Sequence, residues 1–347
     1  MTKAITIVGG GLAGLTLGIG LRQRGVPVAL WEASHYPHHR VCGEFISGRG
    51  LESLGRLGLR SMLQAAGAVA AHTAAFFSTT SSAQPRRLPS AALCLSRYVL
   101  DDLLAKEFCK LGGELRVGER WPAREFPEGI VRATGRRAQE ARASVPWFGL
   151  KAHARQVALA ADLEMHCAPN CYVGLCRLSD GVVNVCGLFR RGGVAIGCGA
   201  GAERGELLRG QPGSPLHRRL GAAEFDGKSF CAVAGLSLQS HRAAERDEFC
   251  VGDTITVIPP VTGNGMSMAI ESAELAIEPL TRWSCDEVSW PKTKQTYASR
   301  CDAIFARRLA WAARLQTLML SAKCQGPLVF FAGRSEWLWR FWFGRTR

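Results

Sequence analysis

The sequence predicts an α/β fold: a parallel βαβ unit first, an antiparallel sheet in the middle of the chain and helices at its end. Three observations carry this. The first 25 residues read as strand, glycine turn and helix; residues 171–188 read as strand, turn and strand; and apolar positions recur near helical spacing after Pro279. The first strand is Ala4-Ile5-Thr6-Ile7-Val8, a β-branched run of the kind buried on both faces in parallel sheets. Gly9-Gly10-Gly11-Leu12-Ala13-Gly14 follows, and a helix through Leu15, Leu17, Ile19 and Leu21 ends near Arg22-Gln23-Arg24, with Gly25 as its cap. Val28-Ala29-Leu30-Trp31 is the second strand, and it stops on Glu32, 18 positions after Gly14.

Each of these residue types has a reason in a Rossmann-like dinucleotide site. Gly9 makes the tight turn, Gly11 lets the backbone approach a pyrophosphate, and Gly14 lets the helix pack closely on the strand. The helix N-terminus at Leu12 and Ala13 faces the phosphates, and Glu32 stands where a ribose-binding acid belongs.

Composition narrows the remaining classes. At roughly 150 residues per domain, 347 residues suggest about two domains. The 47% hydrophobic and 21% charged content is that of a globular chain, not a disordered one. Apolar stretches such as 315–333 are broken by Lys323, Gly326 and Pro327, which excludes a bilayer-spanning run of about 20 residues. The N-terminus enters its strand with no apolar leader, so a cytoplasmic protein is expected. Thirteen cysteines without regular spacing read as reduced thiols; Cys167, Cys171 and Cys176 lack Cys-x-x-Cys pairing, and no metal site is expected. A formal charge of +14 favours anionic cofactors, acidic substrates, nucleic acid or membrane surfaces. The arginines are dispersed and no nucleic-acid motif accompanies them, so no nucleic-acid partner is expected.

Further along, Phe249-Cys250-Val251-Gly252-Asp253 reads as a buried strand ending in Gly-Asp. It is followed by Ile258-Pro259-Pro260-Val261-Thr262-Gly263-Asn264-Gly265 and an amphipathic helix from Met266 to about Ile277. Between the two glycine motifs, Leu95-Ser96-Arg97-Tyr98-Val99-Leu100-Asp101-Asp102-Leu103-Leu104 reads as a helix start. In this order the three motifs resemble the p-hydroxybenzoate hydroxylase-like FAD-dependent oxidoreductases, a superfamily that includes aromatic hydroxylases, geranylgeranyl reductases and flavin-dependent halogenases. The resemblance spans residues 1 to about 310. It implies FAD as the cofactor, with Arg97 near the ribityl or phosphate region, Asp253 on the ribityl hydroxyls, Gly263, Asn264 and Gly265 presenting N–H groups to the flavin's pyrimidine edge, and Pro260 among the cofactor-binding residues. A helix N-terminus there would stabilise the negative charge of a reduced flavin. It also implies a discontinuous FAD-binding domain (1–70, 95–150 and 245–285), an antiparallel-sheet substrate domain (71–94 and 151–244) and a C-terminal helical segment (286–347).

Arg40-Val41-Cys42-Gly43-Glu44-Phe45 resembles the Cys-Gly step of the reductase branch, which places Cys42 near the flavin or substrate and Arg40 near the pyrophosphate. Lys151 and His153, two apart on a strand, share one face; His153 could serve as a general base on a phenol and Lys151 could bind an acidic group. His166 and Tyr172 are lesser candidates. Two departures matter. Ala133-Thr134-Gly135-Arg136-Arg137 stands where aromatic hydroxylases carry an Asp-Gly step, which weakens the inference of NADPH, and the halogenases' Trp-x-Trp-x-Ile-Pro segment and lysine are missing. The sequence reading is therefore an FAD-dependent monooxygenase that hydroxylates an aromatic or polyketide-like small molecule through a flavin hydroperoxide, with NADPH or NADH as transient electron donor. The alternatives are a reductase or dehydrogenase acting on carbon–carbon bonds of a lipophilic substrate, and a non-catalytic protein that keeps FAD as structure. The C-terminal Trp337-Leu338-Trp339-Arg340-Phe341-Trp342-Phe343-Gly344-Arg345 suits either a helix docked in the core or a peripheral membrane contact.

Overall fold

The computed structural model describes residues 2–79, 81–136, 147–192 and 204–346. Five parallel strands form the first sheet: β1 (Ile5–Val8), β2 (Val28–Glu32), β6 (Glu114–Val117), β7 (Ile130–Arg132) and β14 (Phe249–Cys250), in the order β14-β7-β1-β2-β6. Ile5, Ile7 and Leu30 are fully buried, as strands covered on both faces require. The second sheet has nine strands: β3 (Phe45–Ile46), β4 (Val69–Phe77), β5 (Arg86–Cys94), β8 (Trp147–Arg155), β9 (Leu163–Ala168), β10 (Cys171–Arg177), β11 (Val183–Arg190), β12 (Glu224–Phe225) and β13 (Cys231–Ala234). Its pairings are antiparallel except β4 with β9, which run parallel. A parallel pair needs a long crossover, and here the connection passes through the whole 95–150 segment. The boundary expected after residue 150 falls inside β8.

The helices are α1 (Leu12–Arg22), α2 (Arg49–Arg56), α3 (Arg60–Ala65), α4 (Arg97–Lys110), α5 (Arg204–Arg209), α6 (Pro215–Leu220), α7 (Gly265–Ser284), α8 (Trp290–Leu320), α9 (Gln325–Arg334) and α10 (Glu336–Thr346). The N-terminal unit forms as the sequence predicts, with Gly25 in the left-handed region after α1. Ser96 caps α4 by accepting from the Tyr98 N–H. Two elements differ from expectation. The strand expected over 249–253 pairs only at Phe249 and Cys250, because Gly252 turns left-handed (φ +65°) and leads into a short 3₁₀ turn. Helix α7 continues through Pro279 to Ser284; the buried Ile277, Leu280 and Trp283 offset the hydrogen bond that Pro279 cannot donate. The glycine- and alanine-rich stretch from 192 to 205 lies largely outside the described residues.

One aromatic ring fixes how α1 and α4 meet. Phe108 of α4 is fully buried, and a Cβ at Gly18 of α1 would come within 2.8 Å of its ring; one at Gly113 would strike the same ring. Replacing Phe108 by Ala removes that ring from a close-packed site. The expected loss of stability is about 3–5 kcal/mol, measurable as a lower denaturant midpoint with an unchanged slope.

Candidate active site

A continuous cavity of about 960 Å³ runs from the β1–α1 turn, past the 39–45 loop, to the second sheet and the inner sides of α8, α9 and α10. Its first end is made by the glycines of the β1–α1 turn. Gly9 has φ +112° and lines the cavity; Gly14 packs so tightly that a Cβ would strike the Gly9 carbonyl. Gly11 differs from both, since its φ is an ordinary −79° and a Cβ there would meet nothing within 4 Å. The space in front of Gly11 is therefore cavity, where a phosphate can approach bare backbone. Glu32, at the end of β2, accepts from the Gly10 N–H at 2.7 Å and from the Ser34 N–H at 2.9 Å.

Two arginines are aimed by one buried acid. Asp101, one turn along α4, takes both ends of the Arg97 guanidinium at 2.7 Å and accepts from Arg40 Nε at 3.1 Å. Burial opposes the charge on Arg97, but Asp101 outweighs it and raises the guanidinium above its ordinary range. Arg40 Nη2 is buried without a hydrogen-bond partner and stands 3.7 Å from Glu32 Oε2. Across the cavity, enclosure by protein pushes the Asp253 carboxyl up, against the pull of Arg97 and Arg136. Pro260, Gly263 and Gly265 also line the wall, with α7 beginning at Gly265 and Asn264 buried just before it. Gly263 (φ +60°) packs on the Phe45 ring, which leaves no room for a side chain.

Between the two sheets lies a buried charge cluster. Glu44 is 0% exposed, adopts φ +59°, and lines the cavity. Its Oε2 meets His153 Nε2 at 2.6 Å; its Oε1 accepts from the Arg97 N–H at 2.9 Å and stands 3.3 Å from Lys151 Nζ. Burial works against this carboxylate, but the His153 hydrogen bond and the charges of Lys151 and His153 hold it below the usual range. Lys151 Nζ also donates to His39 Nδ1 at 3.0 Å. Burial, then the charges of Lys151 and His153, lower His39 to about 4, so it is a neutral acceptor near neutral pH. His39, Glu44 and His153 bring three potential metal-ligand atoms within 4.8 Å of one another, yet the Lys151 ammonium already serves as the cation of this cluster.

The predicted residues are therefore distributed unevenly. Gly9, Gly11, Leu12, Ala13, Glu32, Arg40, Cys42, Arg97, Asp253, Pro260, Gly263 and Gly265 all line the cavity, whereas Gly14 and Asn264 support its wall. Lys151 and His153 do share a face of β8 with the cavity-lining Gly149, but their own side chains meet Glu44 and are not part of the lining. Burial raises the Cys42 thiol above its usual range, which leaves it protonated and poorly nucleophilic. His166 is tied to Glu164 at 2.8 Å and stacks on Phe77; Tyr172 lines the cavity. The sequence reading missed Asp101 and His39. Asp101 had a signal, its place four residues after Arg97 on one helix face.

Comparison with known proteins shows a resemblance in sequence at the N-terminal part and in fold throughout. Residues 1–157 match the FAD binding domain family. Among solved structures, PqsL of Pseudomonas aeruginosa is 17% identical with a TM-score of 0.71, over 94% of this chain and 99% of that one. The myxobacterial chondrochloren halogenase CndH is 18% identical, TM-score 0.75, over 99% and 90%. A geranylgeranyl bacteriochlorophyll reductase-like protein from Thermoplasma acidophilum is 18% identical, TM-score 0.71, over 96% and 91%. No curated protein matches the chain by sequence. Residues 1–157 thus resemble an FAD-binding domain, and the chain as a whole shares the fold of these solved structures. The open space before Gly11, the Arg40 Nη2 without a hydrogen-bond partner and the helix start at Gly265 fit FAD.

Gly11→Val separates binding from folding. Its backbone angles suit valine and the side chain enters empty space, so the melting temperature should hold while FAD affinity, measured by flavin fluorescence titration, falls at least about tenfold. A pH dependence follows from His39, which with His38 and His166 is lowered by burial. The unfolded chain protonates these rings first, so stability is lost as pH falls from the usual 6.5 toward about 4, and Glu44 adds a further loss below the carboxylate range. Melting temperatures across this window should show a shallower slope for His39→Gln than for the wild type.

Proposed function

We propose that the protein is an FAD-dependent monooxygenase that adds oxygen to an aromatic or polyketide-like small molecule, with NADPH or NADH as transient electron donor. The observation that carries this is the continuity of the cavity: the dinucleotide cradle opens directly into a chamber to which the second sheet and the C-terminal helices contribute apolar side chains, among them Phe76, Leu88, Met165, Leu188, Met319 and Trp339. Glu164 also borders the chamber, but its carboxylate is engaged by the Ala160 and Ala161 N–H groups, His166 and Arg219. Bound flavin supplies the redox and oxygen chemistry. The chain's own residues would hold the ring with the 42–45 loop and the start of α7, present the positive end of α7 to developing negative charge, and exclude water with the apolar chamber. Lys151 and His153 act as positioning residues through Glu44. PqsL has been crystallised in complex with 2-aminobenzoylacetate, and this supports an aromatic substrate here.

A reductase or dehydrogenase acting on carbon–carbon bonds of a lipophilic substrate uses the same architecture. One observation favours it: His153, the candidate base for a phenol, is engaged by Glu44 and does not face the chamber. The two readings separate in one experiment. FAD-loaded protein is supplied with NADPH or NADH, a panel of phenols, aromatic β-keto acids and polyprenyl compounds, and ¹⁸O₂. The proposal expects one ¹⁸O atom in the product; a product that has gained or lost hydrogen without label contradicts it and selects the second reading.

A further inference from the structure

The C-terminal helices have two faces with different surroundings. Val329 and Trp339 are buried and line the chamber, and Trp339 Nε1 donates to the Arg87 carbonyl at 3.1 Å. On the other side Trp337 is 69% exposed and Phe330 42%, two of the five large hydrophobic side chains most exposed among the described residues; a third, Leu318, is near the end of α8. These rings are interleaved with arginines. Trp337 stacks on Phe341 at 5.3 Å, which meets Trp311 edge-on at 5.6 Å. Arg334 lies over Phe330 at 4.1 Å, Arg345 over Phe341 at 5.0 Å, and Arg314 over Trp311 at 5.6 Å. Charge is equally one-sided, since residues 303–347 hold eight Lys and Arg, of which Arg308 is buried against Glu271, and a single acid, Glu336, itself paired with Arg86 and Arg340. No described helix is long and apolar enough to cross a membrane, so this surface can lie on a bilayer but not span it.

We propose that the outer face of α9 and α10, with the end of α8, docks on an anionic phospholipid membrane. Exposed Trp and Phe enter the headgroup boundary while the surrounding arginines meet lipid phosphates, the pairing of apolar and basic groups that holds interfacial helices. Because the same helices form one wall of the chamber, docking sets that wall against the bilayer and gives the chamber its supply: an apolar small molecule partitioned into lipid. This last step rests on the flavin-site reading above, whereas the docking does not.

The test is flotation of the full-length, FAD-loaded protein with vesicles of phosphatidylcholine alone or with about 30 mol % phosphatidylglycerol, at about 50 and 500 mM NaCl. The expected result is a floated fraction roughly tenfold larger with phosphatidylglycerol at low salt, reduced at high salt. It should fall at least about fivefold in Trp337→Ser/Phe330→Ser and in Arg334→Glu/Arg340→Glu, all of them exposed positions whose replacement leaves the melting temperature in place. Equal or no flotation with the two vesicle types, flotation indifferent to both variants, or sedimentation showing that the face pairs two copies of the chain would each overturn the proposal. Flavin absorbance read in the floated fraction keeps the two inferences apart: protein that floats but does not hold flavin sinks the cofactor reading and leaves the docking.

Discussion

The buried carboxylate of Glu44 ties the molecule together at its functional centre. An ionised carboxylate with no solvent exposure is costly unless its charge is matched and its lone pairs are used. Here the match comes from two separate elements: the start of α4 through the Arg97 N–H, and two positions of β8 through Lys151 and His153. The residue itself belongs to the loop between the two sheets, and it is held at a positive φ that a non-glycine side chain adopts only under constraint. Fixing that one side chain fixes the path of residues 39–45, and with it the floor on which Cys42, Gly43 and Phe45 border the cavity.

From that constraint follows a division of polarity. At the cradle end, charge is organised in pairs and triplets: Asp101 with Arg97 and Arg40, Glu32 with the Gly10 N–H, Asp253 opposite two arginines. Beyond the loop the lining turns apolar, and α8 to α10 close the far side. A cofactor with a polar dinucleotide tail and a flat redox-active ring matches such a gradient. The net +14 charge is divided in the same sense, with Arg40, Arg97 and Arg136 on the cavity wall and other basic residues outside on the C-terminal helices.

What could be read in the sequence was the part governed by local rules. The turn at Gly9 and the close packing at Gly14 follow from turn geometry within a dozen residues, and the capped start at Ser96-Arg97 and the helix start at Gly265 follow from their own segments. Strand period alone placed Lys151 and His153 on one face, but it could not say what that face meets, since Glu44 is separated from His153 by 109 residues. The parallel pairing of β4 with β9 was equally invisible, because alternation marks a strand without naming its neighbour. At the C-terminus, composition offered two readings. The structure puts Trp339 of α10 in the chamber wall and leaves Trp337, two residues away, in solvent.

The most direct test of the central role given to Glu44 is a double-mutant cycle with Lys151, read both as unfolding free energy and as FAD affinity. Glu44→Gln leaves a buried ammonium without its counter-charge and should cost about 3–5 kcal/mol along with cofactor affinity. Glu44→Gln/Lys151→Met removes both charges and should recover part of that loss, giving a coupling of about 1–3 kcal/mol. Additive effects within about 0.5 kcal/mol, with FAD affinity unchanged by Glu44→Gln, would contradict the account and reduce the cluster to ordinary packing.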